Sequence, residues 1–228
     1  MISVKDLCFA YSSDKLILDH LNLELKENQI HGIVGLNGAG KTTFLHTLFG
    51  LNKPLEGKLL FNGEPLTKKQ IAYLVTENYF YANITAREYL ELVKNTDFNI
   101  EEWNALFGLP LDDLIENYST GMKKKIAFLA MLKQDKAIMI LDEPFNGLDL
   151  ESSRIIRSLL LKLKEKGKTI LLTSHVLETL TNVCDKLHHL ENGQINYSCE
   201  KEDFDVFEQK IYQTIEKRNQ QKIEELLD

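Results

Sequence analysis

The sequence is short of the features that mark secreted, repetitive or membrane-spanning chains. Its 3 cysteines, Cys8, Cys184 and Cys199, are far apart. With no Cys-x-x-Cys pair and no zinc-ligand spacing, a disulfide framework and a zinc ribbon are excluded, and free thiols in a reducing compartment are expected. Cys8 and Cys184 read as buried small hydrophobes. There are 4 prolines, no low-complexity linker and no internal repeat. The longest aliphatic runs, such as 138–141, are strand-sized, far below the ~20 residues of a membrane helix. Lys5 and Asp6 interrupt any early apolar run, so no secretory leader is expected. The formal charge is −7, which argues against a general nucleic-acid-binding surface. A chain of this kind that works at a membrane needs a separate protein to hold it there.

What is present is an ordinary globular composition, 43% hydrophobic over 228 residues, enough for one large domain. The most informative stretch is Gly35-Leu36-Asn37-Gly38-Ala39-Gly40-Lys41-Thr42, which fits the phosphate-loop pattern G-x-x-x-x-G-K-[ST]. Residues 29–34 before it read as a buried strand, and residues 43–49 after it have helical spacing. The glycines let consecutive N–H groups curl around a polyphosphate, and the helix start adds its partial positive charge. Lys41 can reach the outer phosphates, and the Thr42 hydroxyl can ligate Mg²⁺.

Around this unit the pattern alternates strands and helices. Strands are expected at 2–11, 20–25, 57–61, 71–75, 137–141 and 169–173, with a hairpin at 186–190 and 194–197 turning at Asn192-Gly193. Helices are expected at 86–93, around Trp103, and at 121–132, 150–166 and 176–183, with Gly167 as a stop. The helical texture of 77–133 reads as an insertion within an α/β domain. The tail, 200–228, reads as a helical extension on which Phe204, Phe207, Ile211 and Ile215 share a face. Such a helix either packs on the domain or binds a partner.

Asp142-Glu143 closes a buried strand with two consecutive carboxylates, which raise each other's pKa and need a reason to be there. Beside a phosphate loop, Asp142 is expected at Mg²⁺, and Glu143 is expected to polarise the attacking water. Ser119, followed by Gly121, is open to two readings: an ordinary helix N-cap, or an anion site made with the Gly121 N–H. Lys123, Lys124 and Lys125 read as a solvated face. His175, just past a strand end, either contacts a γ-phosphate or is structural. Tyr11 either stacks on adenine or packs in the core. Asp149 reads as an N-cap or an interface residue.

In this order the motifs resemble the ATP-binding cassette family over residues 1–197. Tyr11 is similar to the adenine-stacking aromatic. Gly35 to Thr42 resembles the Walker A loop, which Thr43 continues. Residues 118–122 resemble a variant signature, and 138–143 the Walker B strand. Gly147-Leu148-Asp149 resembles the D-loop, and His175 the switch histidine. The resemblance implies an α/β phosphate-loop fold with a RecA-like mixed sheet, an antiparallel β region and an inserted helical subdomain. It also implies ATP and Mg²⁺ as ligands, and a head-to-tail pair with a second, identical or related, cassette. In that pair Ser119 and Gly121 would bind the partner's γ-phosphate, and Asp149 would lie at the shared site. A separate transmembrane permease would place the chain on the cytoplasmic face of the membrane, and hydrolysis would drive transport, with an exporter-like signature.

The sequence departs from the family pattern at two places. Thr120 and Met122 replace a Gly and the Gln of the usual signature. Val75-Thr76-Glu77 stands where a Gln that touches Mg²⁺ is usual, so Thr76 or Glu77 is the expected substitute. Bulk at Gly121 is expected to block pairing of two cassettes while leaving the monomer intact. A soluble cassette acting on ribosomes or DNA, and a regulator that does not hydrolyse, remain alternatives.

Overall fold

Runs such as 138–141, the apolar body of a strand that ends in an acid, are apolar on both faces, so their strands must be covered from both sides. The computed structural model describes residues 1–12 and 15–227, without the side chains of 214, 215, 217–219 and 221–227. In chain order the elements are β1 (Ile2–Phe9), β2 (Leu18–Leu25), β3 (Ile30–Val34), α1 (Lys41–Phe49), β4 (Glu56–Phe61), β5 (Glu64–Pro65) and β6 (Ile71–Leu74). Then come α2 (Ala86–Glu91), α3 (Ile100–Asn104), α4 (Thr120–Lys133), β7 (Ile138–Asp142), α5 (Leu150–Glu165), β8 (Thr169–Ser174), α6 (Leu177–Thr181), β9 (Lys186–Glu191), β10 (Gln194–Glu200) and α7 (Phe204–Leu227).

The strands form two sheets. One is four-stranded and antiparallel, in the order β2-β1-β4-β5. The other is six-stranded, β10-β9-β3-β8-β7-β6, parallel from β9 to β6 with β10 antiparallel at one edge. Helix α1 lies between them, and Phe44, Leu45 and Leu48 join one core with Ile33, Ile138, Ile140 and Leu171. The other face of the six-stranded sheet supplies Ile30, Met139, Leu141, Ile170 and Leu172 to a second core with α4 and α5. The side chains of β7 thus alternate between two cores, which is why the strand shows no polar face.

The expected strands and helices form, with ends displaced by up to three residues. The two Asn-Gly pairs, Asn62-Gly63 and Asn192-Gly193, have positive φ at both residues and turn the β4–β5 and β9–β10 hairpins. The short β5 was not expected. All three cysteines are buried and free. On α7, Phe204, Phe207 and Ile211 are buried. Phe207 stacks on Tyr197 with centroids 5.6 Å apart, so this part of the tail packs on the domain. The side chain of Ile215 lies outside the described residues.

A buried polar chain crosses the strands beside the phosphate loop. His31 Nε2 lies 3.0 Å from the Lys26 carbonyl, His31 Nδ1 lies 3.2 Å from His188 Nε2, and His188 Nδ1 lies 2.8 Å from Ser198 Oγ. A carbonyl can only accept, so His31 Nε2 carries the proton, His188 Nε2 donates to His31 Nδ1, and Ser198 donates to His188. Both rings are neutral in this arrangement. Burial lowers the pKa of His31 to about 4 and that of His188 to about 3. Unfolded, both titrate near their ordinary value, so below about pH 6.5 the unfolded chain binds more protons. This contribution to stability is therefore intact above that pH and is lost as the pH falls toward 4. Urea unfolding should show a loss on the order of 1 kcal/mol per pH unit per ring between pH 6 and 4.5. The variant His188→Gln should flatten the dependence; a native chain equally stable at pH 7.5 and 5 would refute the pair.

Candidate nucleotide site

Parallel pairing brings the C-terminal ends of β3, β8, β7 and β6 to one edge, with Val34 beside Ser174, Thr173 beside Asp142 and Leu141 beside Leu74. There they border a cavity of about 540 Å³ lined by Tyr11, Ile17, Asn37, Gly38, Gly40, Lys41, Thr42, Thr43, Thr76, Asp142, Glu143, Asn146 and His175. The motifs singled out at distant points of the chain therefore meet.

The phosphate loop turns through left-handed backbone at Gly38 and Gly40, with φ of +83° and +104°. Gly40 starts α1 without a side-chain cap, so the first N–H groups of the helix have neither an intrahelical nor a capping acceptor. In contrast, α4 and α5 are capped by Ser119 and Asp149. An uncapped helix start facing a polar cavity suits an anion. Lys41 is buried, and its ammonium donates to the carbonyls of Gly35 at 2.7 Å and Leu36 at 3.3 Å. Burial lowers its pKa, and the carboxylates of Glu143 and Asp142 oppose that. Polyphosphate oxygens would replace these neutral carbonyls with charged acceptors.

Across the cavity the Thr42 hydroxyl donates to Asp142 Oδ2 at 2.8 Å, and the Thr173 hydroxyl donates to Asp142 Oδ1 at 2.5 Å. Asp142 is only 1% exposed. A hydroxyl and a carboxylate side by side suit Mg²⁺, whose remaining ligands would be phosphate oxygens and water. The neighbouring carboxylate has different partners: Glu143 Oε1 lies 3.0 Å from His175 Nδ1. Glu143 has φ +50°, a left-handed conformation that costs roughly 1–2 kcal/mol in a non-glycine residue. Its N–H donates to Thr173 Oγ1 at 3.1 Å, so one threonine serves both acids. Tyr11 is 67% exposed, lies edge-on to Phe9, and has its hydroxyl 3.3 Å from Thr43 Oγ1. Its ring is free for stacking.

Other expected residues stand apart from the cavity. Gly35, Leu36 and Ala39 form the back of the loop. A Cβ on Gly35 would lie 2.5 Å from the Leu190 carbonyl, so only glycine fits against β9. Ser119 is exposed, and its Oγ accepts from the Met122 N–H at 3.2 Å. Asp149 accepts from the Ser152 N–H at 2.7 Å and the Ser152 hydroxyl at 2.8 Å; these bonds, with nearby Lys125, lower its pKa to about 2. Both are N-caps within their own chain, and neither reaches its own cavity. A Cβ on Gly121 would lie 3.0 Å from the Gly147 carbonyl, a tight contact that asks that carbonyl to give by a few tenths of an ångström.

Of the two candidates for the missing Gln, Thr76 lines the nucleotide cavity, while Glu77 lines an adjoining one. Lys124 is 5% exposed, so the three lysines do not form one solvated face; each helical residue turns about 100°, which points the middle one inward. Thr173, Asn146 and Ile17 went unmarked, because nothing in their local pattern separates them from ordinary strand and turn residues.

A phosphate loop on a parallel sheet, facing an acidic strand end, defines a phosphate-loop nucleotide-binding protein. The family described as ABC transporter matches residues 18–146. The bacitracin transport ATP-binding protein BcrA of Bacillus licheniformis is 36% identical over 213 residues, spanning 86% of this chain and 68% of that one. A solved ATP-binding subunit of an ABC transporter superposes with a TM-score of 0.83 at 27% identity, covering 89% of this chain and 91% of that one. The fold is shared with the dimeric ATP-binding cassette MJ0796, solved with ADP and Pi, at a TM-score of 0.78 and 21% identity over 88% of this chain and 99% of that one. The chain belongs to the ABC transporter family, as an ATP-binding subunit.

Replacing Lys41 by Ala should weaken ATP binding at least about tenfold by calorimetry, since charge-assisted bonds to phosphate are lost; unchanged affinity would contradict the role of the loop. Thr173→Val leaves a buried carboxylate and a buried N–H short of partners. It should lower unfolding free energy on the order of 1–3 kcal/mol in denaturant titration.

Proposed function

We propose that this chain hydrolyses ATP at a site completed by a second cassette and so powers transport, with export as the direction, through a separate membrane-spanning subunit. The observation that carries this reading is the meeting, in one cavity, of Lys41, the Thr42–Asp142 pair and the Glu143–His175 pair at 3.0 Å.

The loop N–H groups and Lys41 bind the β- and γ-phosphates, and Tyr11 stacks on the adenine. Thr42 and Asp142 hold Mg²⁺, which supplies charge neutralisation of the phosphate oxygens. Glu143 takes a proton from water as the water oxygen bonds to the γ-phosphorus. The bond from that phosphorus to the β–γ bridging oxygen breaks, leaving ADP and phosphate. His175 orients the Glu143 carboxylate and meets the γ-phosphate, and Thr76 takes the place of the usual Gln.

Ser119 and Gly121 serve the nucleotide of the other cassette, and Asp149 lies at the same junction. The exposure of Ser119 and Asp149 at helix starts away from their own cavity supports this, and the dimeric MJ0796 cassette of like fold gives the arrangement a precedent. Among the described residues no helix is long and apolar enough to cross a membrane. The spans of a transporter would then come from another subunit, placing this chain on the cytoplasmic face. Residues 77–133 are the helical subdomain that would meet it, and 200–228 a C-terminal extension of a single domain, 1–228. The likeness to the bacitracin transport protein supports a role in transport, and the exporter-like form of the signature at residues 118–122 favours export.

Replacing Glu143 by Gln should lower ATP turnover at least about 100-fold while ATP still binds. Sedimentation should then show an ATP-dependent dimer. Turnover near that of the native chain would remove Glu143 as the base.

A further inference from the structure

Lys124 lies in the second turn of α4 and is buried. It does not line the nucleotide cavity. It borders an adjoining cavity of about 310 Å³ that shares Thr76 and Asn146 with the first. Its ammonium donates to the main-chain carbonyl of Glu143 at 2.7 Å. The N–H of Glu143 is held by Thr173 at 3.1 Å. The backbone of Glu143 is therefore gripped at both ends, with the left-handed φ of +50° between the two grips and the carboxylate directed to His175.

A buried ammonium costs solvation, which a surface lysine would avoid, so its placement against one carbonyl needs a compensating environment. Burial lowers the Lys124 pKa, and the carboxylates of Glu143 and Asp142 oppose that fall. The lysine thus neutralises the acidic strand end and fixes its backbone at the same time. Two further contacts join the same end of α4 to the same loop. Gly121 lies close against the Gly147 carbonyl, which a Cβ there would approach to 3.0 Å, and Lys125 Nζ lies 3.5 Å from Asp149 Oδ2. The first two turns of α4 and the segment 143–149 are tied together at three points along their length.

We propose that Lys124 is a positioning residue for hydrolysis: it holds Glu143 in the backbone conformation that directs its carboxylate into the nucleotide cavity, and it ties that conformation to the helix whose start carries Ser119 and Gly121. The proposal rests on the reading of Glu143 as the base. Its consequence is that an event at the exposed start of α4 reaches the base through a side chain of the same helix.

The test compares Lys124→Met, Lys124→Gln and Lys124→Arg with the native chain and with Glu143→Gln. Each is measured for thermal unfolding, ATP affinity by calorimetry, and kcat and KM. Methionine removes the donor, glutamine keeps a neutral donor on a shorter stem, and arginine keeps a charged donor of similar reach. With Lys124→Met, kcat should fall at least tenfold, while KM and ATP affinity stay within about threefold of native. Lys124→Gln should show the same loss, and Lys124→Arg should recover at least half of kcat. Should Lys124→Met fail to fold, the glutamine and arginine pair decides alone. Native kcat in folded Lys124→Met or Lys124→Gln overturns the proposal. So does a parallel loss of ATP affinity and stability without rescue by arginine, which marks a general packing role. If Glu143→Gln itself keeps native turnover, the fault lies with the base and not with Lys124.

Discussion

The buried carboxylate of Asp142 accepts hydrogen bonds from Thr42 at the start of α1 and from Thr173 on β8. Without partners such a charge would cost several kcal/mol in a site of this burial. The two hydroxyls can supply their bonds only if β7 and β8 pair in the observed register and α1 sits over the edge of the sheet. One carboxylate thus links three elements and fixes how far the phosphate loop stands from the acidic strand end. Two buried lysines, Lys41 from the loop and Lys124 from α4, lie within reach of the field of Asp142 and Glu143. The acidic strand end is balanced from both sides by cations of the same chain.

This balance explains why the two consecutive acids can differ in task. Asp142 is buried, accepts from one hydroxyl on each oxygen and lines the cavity with acceptor capacity to spare. Glu143, turned by its positive φ, has a side chain 12% exposed and faces His175. On the proposed reading the first holds the metal and the second moves a proton. The helix starts show a similar division. The start of α1 has no side-chain cap and opens on the cavity, whereas those of α4 and α5 are closed by their own caps. A cap on α1 would compete with phosphate for the same N–H groups. The cap on α4 instead satisfies an N–H at an exposed helix start within the chain itself.

The legible part of the fold was the part set by short-range rules. Both-face apolar runs gave β3, β7 and β8, Asn192-Gly193 gave the β9–β10 hairpin, and glycines followed by Lys41-Thr42 gave the loop. The illegible part depended on who meets whom. Lys124 looked like one of three solvated lysines, because a run of like charges carries no mark of which member points inward. Thr173 looked like any buried strand residue, since its two bonds go to residues some 30 positions away. That Thr76, and not Glu77, lines the nucleotide cavity likewise needed the loop after β6 in place.

By itself the sequence determined the elements, the phosphate loop, and which residue types were available for phosphate, metal and proton. These depend on backbone freedom, side-chain period and acid–base identity, which are local properties. Only the tertiary structure decided that Asp142, Thr42 and Thr173 share their hydrogen bonds. It likewise decided that Glu143 is held by Lys124 as well as Thr173, and that Ser119 and Asp149 lie outside their own cavity. Those outcomes follow from the strand order β9-β3-β8-β7-β6. That order places residues more than a hundred positions apart at one sheet edge, and no single stretch of sequence encodes the pairing.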